Sequence, residues 1–131
     1  MMAVIRKITG SLITPVSWTI ITIILLCLPG SSFPGEGVFI KIPHIDKIVH
    51  VILFGGMVLL WGVYFFIRKP LTASLQPIIV AVILFSIILG ICMEYIQLKY
   101  VPKRAFDKGD IIANTVSSIL FGTLFLFRKQ R

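Results

Sequence analysis

Charge is scarce in this sequence, and negative charge is scarcest. Of its 131 residues, 14% are charged, and 5 Asp and Glu stand against 13 Lys and Arg. Soluble domains carry about 25% charged residues, and the 57% of hydrophobic residues here exceeds what a soluble core of this length absorbs. The composition, with a mean hydropathy of +1.01, therefore excludes an ordinary soluble domain and predicts a membrane protein.

Several chemical signatures are also missing. The two cysteines, Cys27 and Cys92, lie in apolar runs and lack the CxxC spacing of metal or redox sites. There is no nucleophile elbow, no HExxH motif and no phosphate-binding glycine loop. The formal net charge of +8 is not interleaved with aromatic residues, so it fits the basic flanks of membrane spans better than nucleic-acid binding. We therefore predict no cofactor and no nucleic-acid partner.

Four long apolar runs account for most of the chain, at about 12–28, 48–67, 77–98 and 111–127. Each is close to the roughly 20 residues that a membrane-spanning helix needs, and none alternates as the strands of a barrel do. The first run also has the order of a secretory signal, but the three later runs favour a retained helix. The sequence predicts an all-α membrane protein, a single domain over 1–131 built as a bundle of four transmembrane helices.

Four spans would place both termini on one side of the membrane. Basic residues lie at the ends of the runs on both sides, with a small excess on the side of the termini. Because Lys and Arg near span ends favour the cytoplasmic side, we expect a multi-pass protein of the inner membrane with cytoplasmic termini. The loops after the first and third helices would then face outside.

Polar residues gather at one membrane face, where the second helix begins, the third ends and the fourth begins. Pairs spaced by three or four residues project from the same side of a helix. The three such pairs are Asp46 with His50, Glu94 with Gln97, and Asp110 with Asn114. At about 1.5 Å per residue, one member of each pair lies at a similar depth below that face. Because ionisable groups inside a membrane face the bundle interior or a water-filled cavity, we expect these side chains to share one pocket.

Small residues accompany the polar ones at steps of four. Ser86 and Gly90 precede Glu94, and Ser118 follows Asn114. Small residues let two helices approach closely. The sequence therefore predicts that these two stripes face each other.

The polar residues differ in how strongly they indicate function. Amide side chains such as Gln97 and Asn114 are also common packing bonds between membrane helices. Acids such as Asp46 and Asp110 are also typical of N-caps or first-turn positions, where they neutralise the positive helix end. For these four residues both the structural and the functional interpretation stay open.

A functional role is best supported for Glu94 and His50, an acid and an imidazole inside apolar runs, which form the candidate catalytic pair. Arg104, in the basic loop between the third and fourth helices, is the candidate anion ligand. A guanidinium binds phosphate or carboxylate through two parallel hydrogen bonds. We expect Asp107 or Asp110 to hold it in place, and the alternative is a solvated interfacial charge.

The same residues resemble a known family. Three motifs carry the resemblance, D-K-x-x-H from Asp46, E-x-x-Q from Glu94 and R-x-x-D-x-x-D-x-x-x-N from Arg104, together with the exit of the first helix at 28–32. In this order they resemble the VanZ-like family of bacterial membrane proteins. That family usually has Gly three residues after the Asn, where this chain has Ser117. The resemblance implies a four-helix protein of the bacterial cell envelope, in a family named for resistance to the glycopeptide teicoplanin, and implies no particular reaction.

Two functions fit these observations. The first is a site at the outer face that binds or modifies an anionic amphiphile, either a phospholipid or a lipid-linked envelope precursor. Arg104 would hold the headgroup, while Glu94 and His50 exchange protons with it. The remaining substrate-binding residues would be Asp46, Asp110, Asn114 and Gln97.

The second function is a non-enzymatic accessory factor or a small proton-linked carrier, in which the polar network is structural. Four helices leave little room for alternating access, so a carrier of this size would need to form a homo-oligomer. We expect no metal, although a carboxylate and histidine cluster is also a ligand set for divalent cations.

Overall fold

A computed structural model describes residues 1–29, 44–68 and 74–127. Within these ranges the chain forms five helices and no strand, so the all-α fold class is confirmed. The helices are α1 (Met2–Thr9), α2 (Ile13–Cys27), α3 (Ile45–Arg68), α4 (Gln76–Tyr100) and α5 (Lys108–Leu126). The first predicted outer loop and the end of the 28–32 motif lie outside the described residues.

Among the described helices, α3, α4 and α5 are long and apolar enough to cross a membrane, with 24, 25 and 19 residues. The chain is therefore an integral membrane protein. Helix α2 has 15 residues, which at 1.5 Å per residue gives about 22 Å against a hydrocarbon core of about 30 Å. The fourth span predicted over 12–28 is thus found as a helix, but as a span it is not confirmed.

The outer surface of the three long helices is apolar, as expected of helices that meet lipid. Large aliphatic side chains along them are more than half exposed, namely Ile52, Leu84, Ile88, Ile112 and Leu120. In a water-soluble protein such a surface would be an aggregation hazard. Here it is the face that the bilayer covers.

The three long helices begin one to three residues before the predicted apolar runs, because polar residues extend them. Helix α3 begins at Ile45, three residues before the apolar run, and α5 begins at Lys108. Asp107 is the N-cap of α5, and its side chain accepts a hydrogen bond from the Gly109 N–H at 2.6 Å. Asp46 and Asp110 are first-turn acids, one of the two structural roles that the sequence left open for them.

Helix α1 was not expected from the apolar runs. It packs against the far end of α3, where Arg68 Nε donates a hydrogen bond to the Gly10 carbonyl at 2.8 Å. The hydroxyl of Thr14 also donates to the Ile8 carbonyl at 2.7 Å. These contacts fix the start of α2 at the end of the bundle opposite to the polar residues.

Helix α5 packs against both α3 and α4, and α2 packs against the same two helices. One core cluster joins α3, α4 and α5, with Val58, Ile79, Ile83 and Phe125 at its centre. A second joins α2, α3 and α4, with Leu26, Phe54, Met57 and Met93 at its centre. The two clusters leave a third contact region, at the polar end of α3, α4 and α5, for the buried charged and amide side chains.

Hydrogen bonds cross the helix interfaces at several levels. Trp18 Nε1 donates to the Leu53 carbonyl at 2.9 Å and so ties α2 to α3. The hydroxyls of Ser86 and Ser118 lie 2.7 Å apart and tie α4 to α5. A Cβ added to Gly90 would meet the side chain of Asn114, so these two positions are also in close contact. The prediction that the two small-residue stripes face each other is confirmed.

Candidate functional site

The start of α3, the end of α4 and the start of α5 meet at one end of the bundle. Four predicted site residues are brought together there and are buried, and we call them the polar cluster: His50, Glu94, Asp110 and Asn114. Their exposed fractions are 1%, 0%, 5% and 1%. The sequence predicted that these side chains share one pocket, and in the structure they lie together and are buried.

His50 is held by Asn114. Its Nδ1 lies 3.0 Å from Asn114 Oδ1, across the interface of α3 and α5. Since an amide oxygen only accepts, the imidazole Nδ1–H is the donor, and the lone pair of the neutral ring lies on Nε2. His50 Nε2 is 3.6 Å from Asp110 Oδ2, which is too long for a hydrogen bond, and it has no hydrogen-bond partner among the described residues.

Glu94 is held by the loop before α5. Its Oε2 accepts a hydrogen bond from the backbone N–H of Asp107 at 3.1 Å. Its other oxygen, Oε1, is buried and has no hydrogen-bond partner within the described part of the chain. The carboxyl group therefore has one oxygen fixed by the protein and one oxygen free.

Lys47 also lies at this end of the bundle, and the sequence reasoning did not assign it to the site. Its ammonium contacts three carboxylates, Asp107 at 2.6 Å, Asp46 at 3.3 Å and Asp110 at 3.4 Å. It lies beside Asp46 in the D-K-x-x-H motif, and that adjacency was the available signal. The Lys47 ammonium, and after it the Gly109 N–H, lowers the pKa of the Asp107 carboxyl below its usual range.

Arg104 does not make the ion pair that was predicted for it. Asp107 and Asp110 are both paired with Lys47, and Arg104 has no ion pair with either of them in the structure. The expectation failed because Lys47 reaches these acids from the start of α3. The Nε of Arg104 is buried and lacks a hydrogen-bond partner among the described residues. Its backbone N–H donates to the Val101 carbonyl at 3.3 Å.

Gln97 and Asp46 lie outside the polar cluster. Gln97 is buried, and its Nε2 donates to the Leu26 carbonyl at 2.9 Å, so its amide joins α4 to the end of α2. Asp46 is exposed on its side chain and contacts Lys47. The structure thus gives Gln97 a packing contact and gives Asp46 a place in the Lys47 network.

Two sets of side chains have the ligand types and the spacing of a cation site. His50, Glu94 and Asp110 each offer one ligand atom, all within 4.8 Å of one another, and Asp46, Asp107 and Asp110 do the same. Lys47 already supplies the positive charge in the second set. The first set has buried atoms that are still free.

Chemically, this end of the bundle offers a guanidinium N–H, an imidazole nitrogen and a carboxylate oxygen, each buried and without a partner in the described ranges. These groups bind anions, exchange protons or ligate a cation.

In comparisons with known proteins, no family model, no curated protein and no solved structure matches this chain.

Proposed function

We propose that this protein binds the anionic headgroup of a membrane amphiphile, a phospholipid or a lipid-linked envelope precursor, at the polar end of the bundle. The observation that carries the proposal is the buried Nε–H of Arg104, which has no acceptor among the described residues. A buried donor on a charged group is costly unless an acceptor satisfies it. A phosphate or carboxylate supplies that acceptor in the planar geometry that a guanidinium favours.

The position of Arg104 supports a headgroup as the ligand. The residue lies in the loop 101–107, directly after a helix long enough to cross the membrane. Near it, Tyr95 and Phe106 are in ring contact at 5.3 Å, and Tyr100 is 70% exposed. Tyrosine is enriched at the level of the headgroups. A basic side chain at this depth meets phosphate groups rather than acyl chains.

His50 and Glu94 are the groups that exchange protons with the bound headgroup in this proposal. Each has one polar atom held by the protein and one that is free in the described structure. A titratable pair with free atoms is suited to accept or donate a proton once a ligand reaches it. Asn114 orients the imidazole, and Asp110 faces its free nitrogen.

The wider setting belongs to the same proposal. The D-K-x-x-H, E-x-x-Q and R-x-x-D-x-x-D-x-x-x-N motifs resemble those of VanZ-like proteins, which favours the bacterial cytoplasmic membrane and an envelope role. Helix α2 would be the fourth span, with its short length met by local thinning of the bilayer. Both termini would then be cytoplasmic, and the polar end would face outside.

Lipid retention by the purified protein tests the proposal. Native mass spectrometry in a mild detergent should show an anionic lipid on the wild type and its loss from Arg104→Gln. Lys108→Gln is the matched control, because it removes the same charge from an exposed residue only four positions away. Equal lipid retention by both variants would overturn the proposal and favour a structural polar network.

A further inference from the structure

We propose that His50, Glu94 and Asp110 bind one divalent transition-metal cation, of the Zn²⁺ or Mn²⁺ class. The three residues come from three different helices, and all are buried. One ligand atom from each lies within 4.8 Å of the others. The inference does not depend on lipid binding at Arg104, but it goes beyond the proposed proton exchange, because with the cation bound the free atoms of His50 and Glu94 are its ligands and no longer exchange protons.

Free buried atoms point to a ligand at this place. His50 Nε2 and Glu94 Oε1 are both buried without a hydrogen-bond partner in the described part of the chain. His50 Nε2 lies 3.6 Å from Asp110 Oδ2. That is longer than a hydrogen bond and near the spacing of about 3.3 Å between two ligands of a tetrahedral Zn²⁺. A single cation would satisfy the two unpartnered atoms and would contact Asp110 as well.

The second polar atom of each proposed ligand is already fixed by the protein. Nδ1 of His50 donates to Asn114, and Oε2 of Glu94 accepts from the Asp107 N–H. Oδ1 of Asp110 faces the Lys47 ammonium at 3.4 Å. In metal sites such outer contacts set the tautomer and the orientation of each ligand. The polar cluster has this arrangement for all three of its ligands.

The charges around the cluster are consistent with a bound cation. Two carboxylates, Glu94 and Asp110, are buried side by side, and Lys47 contacts only the second of them. Asp46 and Asp107 add negative charge on the solvent side, where Lys47 is their counter-ion. Arg104 is the other cation whose charge acts on this region. Glu94 therefore lacks a directly contacting positive charge among the described residues.

The ligand set selects the class of cation. Calcium and magnesium prefer oxygen ligands alone, whereas one imidazole with two carboxylates suits Zn²⁺ or Mn²⁺. Three protein ligands also leave a coordination position open, which is the pattern of catalytic rather than structural zinc. An oxygen of a bound headgroup has the chemistry to fill that position.

Metal binding to the untagged, chelator-stripped protein in detergent tests the inference directly. Isothermal calorimetry with Zn²⁺ should show one bound ion per chain, and Glu94→Gln and His50→Gln should each weaken it by more than about 100-fold. His44→Gln is the control, because it removes an exposed imidazole outside the cluster, and it should keep the wild-type affinity. No Zn²⁺ binding by the wild type, or wild-type affinity in both Glu94→Gln and His50→Gln, would overturn the inference.

A spectroscopic measurement on the wild type covers the case in which the ligand variants do not fold. X-ray absorption at the zinc edge should show one imidazole and otherwise oxygen scatterers, whereas a shell without imidazole would contradict the site. Arg104→Gln should keep its Zn²⁺ while it loses the lipid. The lipid proposal and the metal proposal are therefore tested by different variants.

Discussion

The Lys47 ammonium and the Asp107 carboxylate lie 2.6 Å apart, although 60 residues separate them in the sequence. This ion pair joins the first turn of α3 to the N-cap of α5. Lys47 also contacts Asp46 and Asp110, so three carboxylates share one ammonium. The network closes the end of the bundle at which the polar cluster lies.

Lys47→Met should destabilise the protein, because it leaves three neighbouring carboxylates without their shared cation. We expect the free energy of unfolding to fall by about 1 kcal/mol, which is the upper end of the range for partly exposed ion pairs. The Tm in detergent should fall with it. Lys108→Met, which removes an exposed lysine from the same end, should leave the Tm unchanged. Equal Tm values for the wild type and Lys47→Met would show that the network adds no stability.

Acid should weaken the same contact. The pKa of Asp107 is held below its ordinary 3.8, first by the Lys47 ammonium and then by the Gly109 N–H. A carboxyl whose pKa is lower in the folded state stabilises fully above the unfolded pKa and loses this effect as the pH falls through the folded pKa. The Tm of the wild type should therefore decrease as the pH is lowered below 3.8.

Asp107→Asn separates the charge from the cap, because asparagine is also a good N-cap residue. This variant should have a lower Tm than the wild type at pH 7 and a smaller decrease between pH 5 and pH 3. Parallel Tm profiles for the two proteins would contradict a role of the Asp107 charge.

Gln97→Leu distinguishes the packing role of this amide from a binding role. The Leu26 carbonyl would lose the donor at 2.9 Å, and an unpaired buried acceptor costs about 1–3 kcal/mol. We expect a lower Tm with unchanged lipid retention. Gln76→Leu is the control, because the contact that its amide makes with the Leu126 carbonyl is exposed and 3.5 Å long. Loss of the lipid at an unchanged Tm would instead place Gln97 in the binding site.

Gly90→Ala should disturb the polar cluster through Asn114. The new Cβ would lie 2.7 Å from Asn114 Nδ2 and 3.1 Å from its Cβ, so the side chain that accepts the hydrogen bond of His50 has to shift. Overpacking of this kind costs about 1–3 kcal/mol. Calorimetry should also show Zn²⁺ binding weakened by about 10- to 100-fold, as when an outer contact of a metal ligand is lost. Ile88→Ala, on the exposed face of the same helix, should change neither the stability nor the Zn²⁺ affinity.

The number of spans decides whether the two termini lie on the same side of the membrane. If α2 crosses the membrane with α3, α4 and α5, both termini share one side, whereas three spans place them on opposite sides. A fluorescent protein that matures only in the cytoplasm should therefore glow when it is fused before Met1 and also when it is fused after Arg131. Fluorescence from only one of the two fusions would exclude the fourth span.

The sequence was sufficient to predict the three long helices and the faces they share. Long apolar runs have few alternatives to a helix in a membrane, and the steps of four at Gly90 and Glu94 indicate which side packs inward. This reasoning brought His50, Glu94 and Asn114 together correctly. It depends only on helix geometry and on depth, which do not change with the details of the loops.

Contacts that depend on loop geometry could not be predicted in the same way. Arg104 and Lys47 carry the same charge and lie at the same face, and only the path of 101–107 decides which one reaches Asp107. Helix α1 was missed because its 8 residues include Arg6 and Lys7 and form no long apolar run.

Asp107 makes contacts with three helices at once. Its carboxylate caps α5 and contacts Lys47 of α3, while its backbone N–H binds Glu94 of α4. The start of α5 therefore gains its full set of contacts only after α3 and α4 have come together. The polar cluster is therefore a product of helix assembly, and the insertion of any single helix does not complete it.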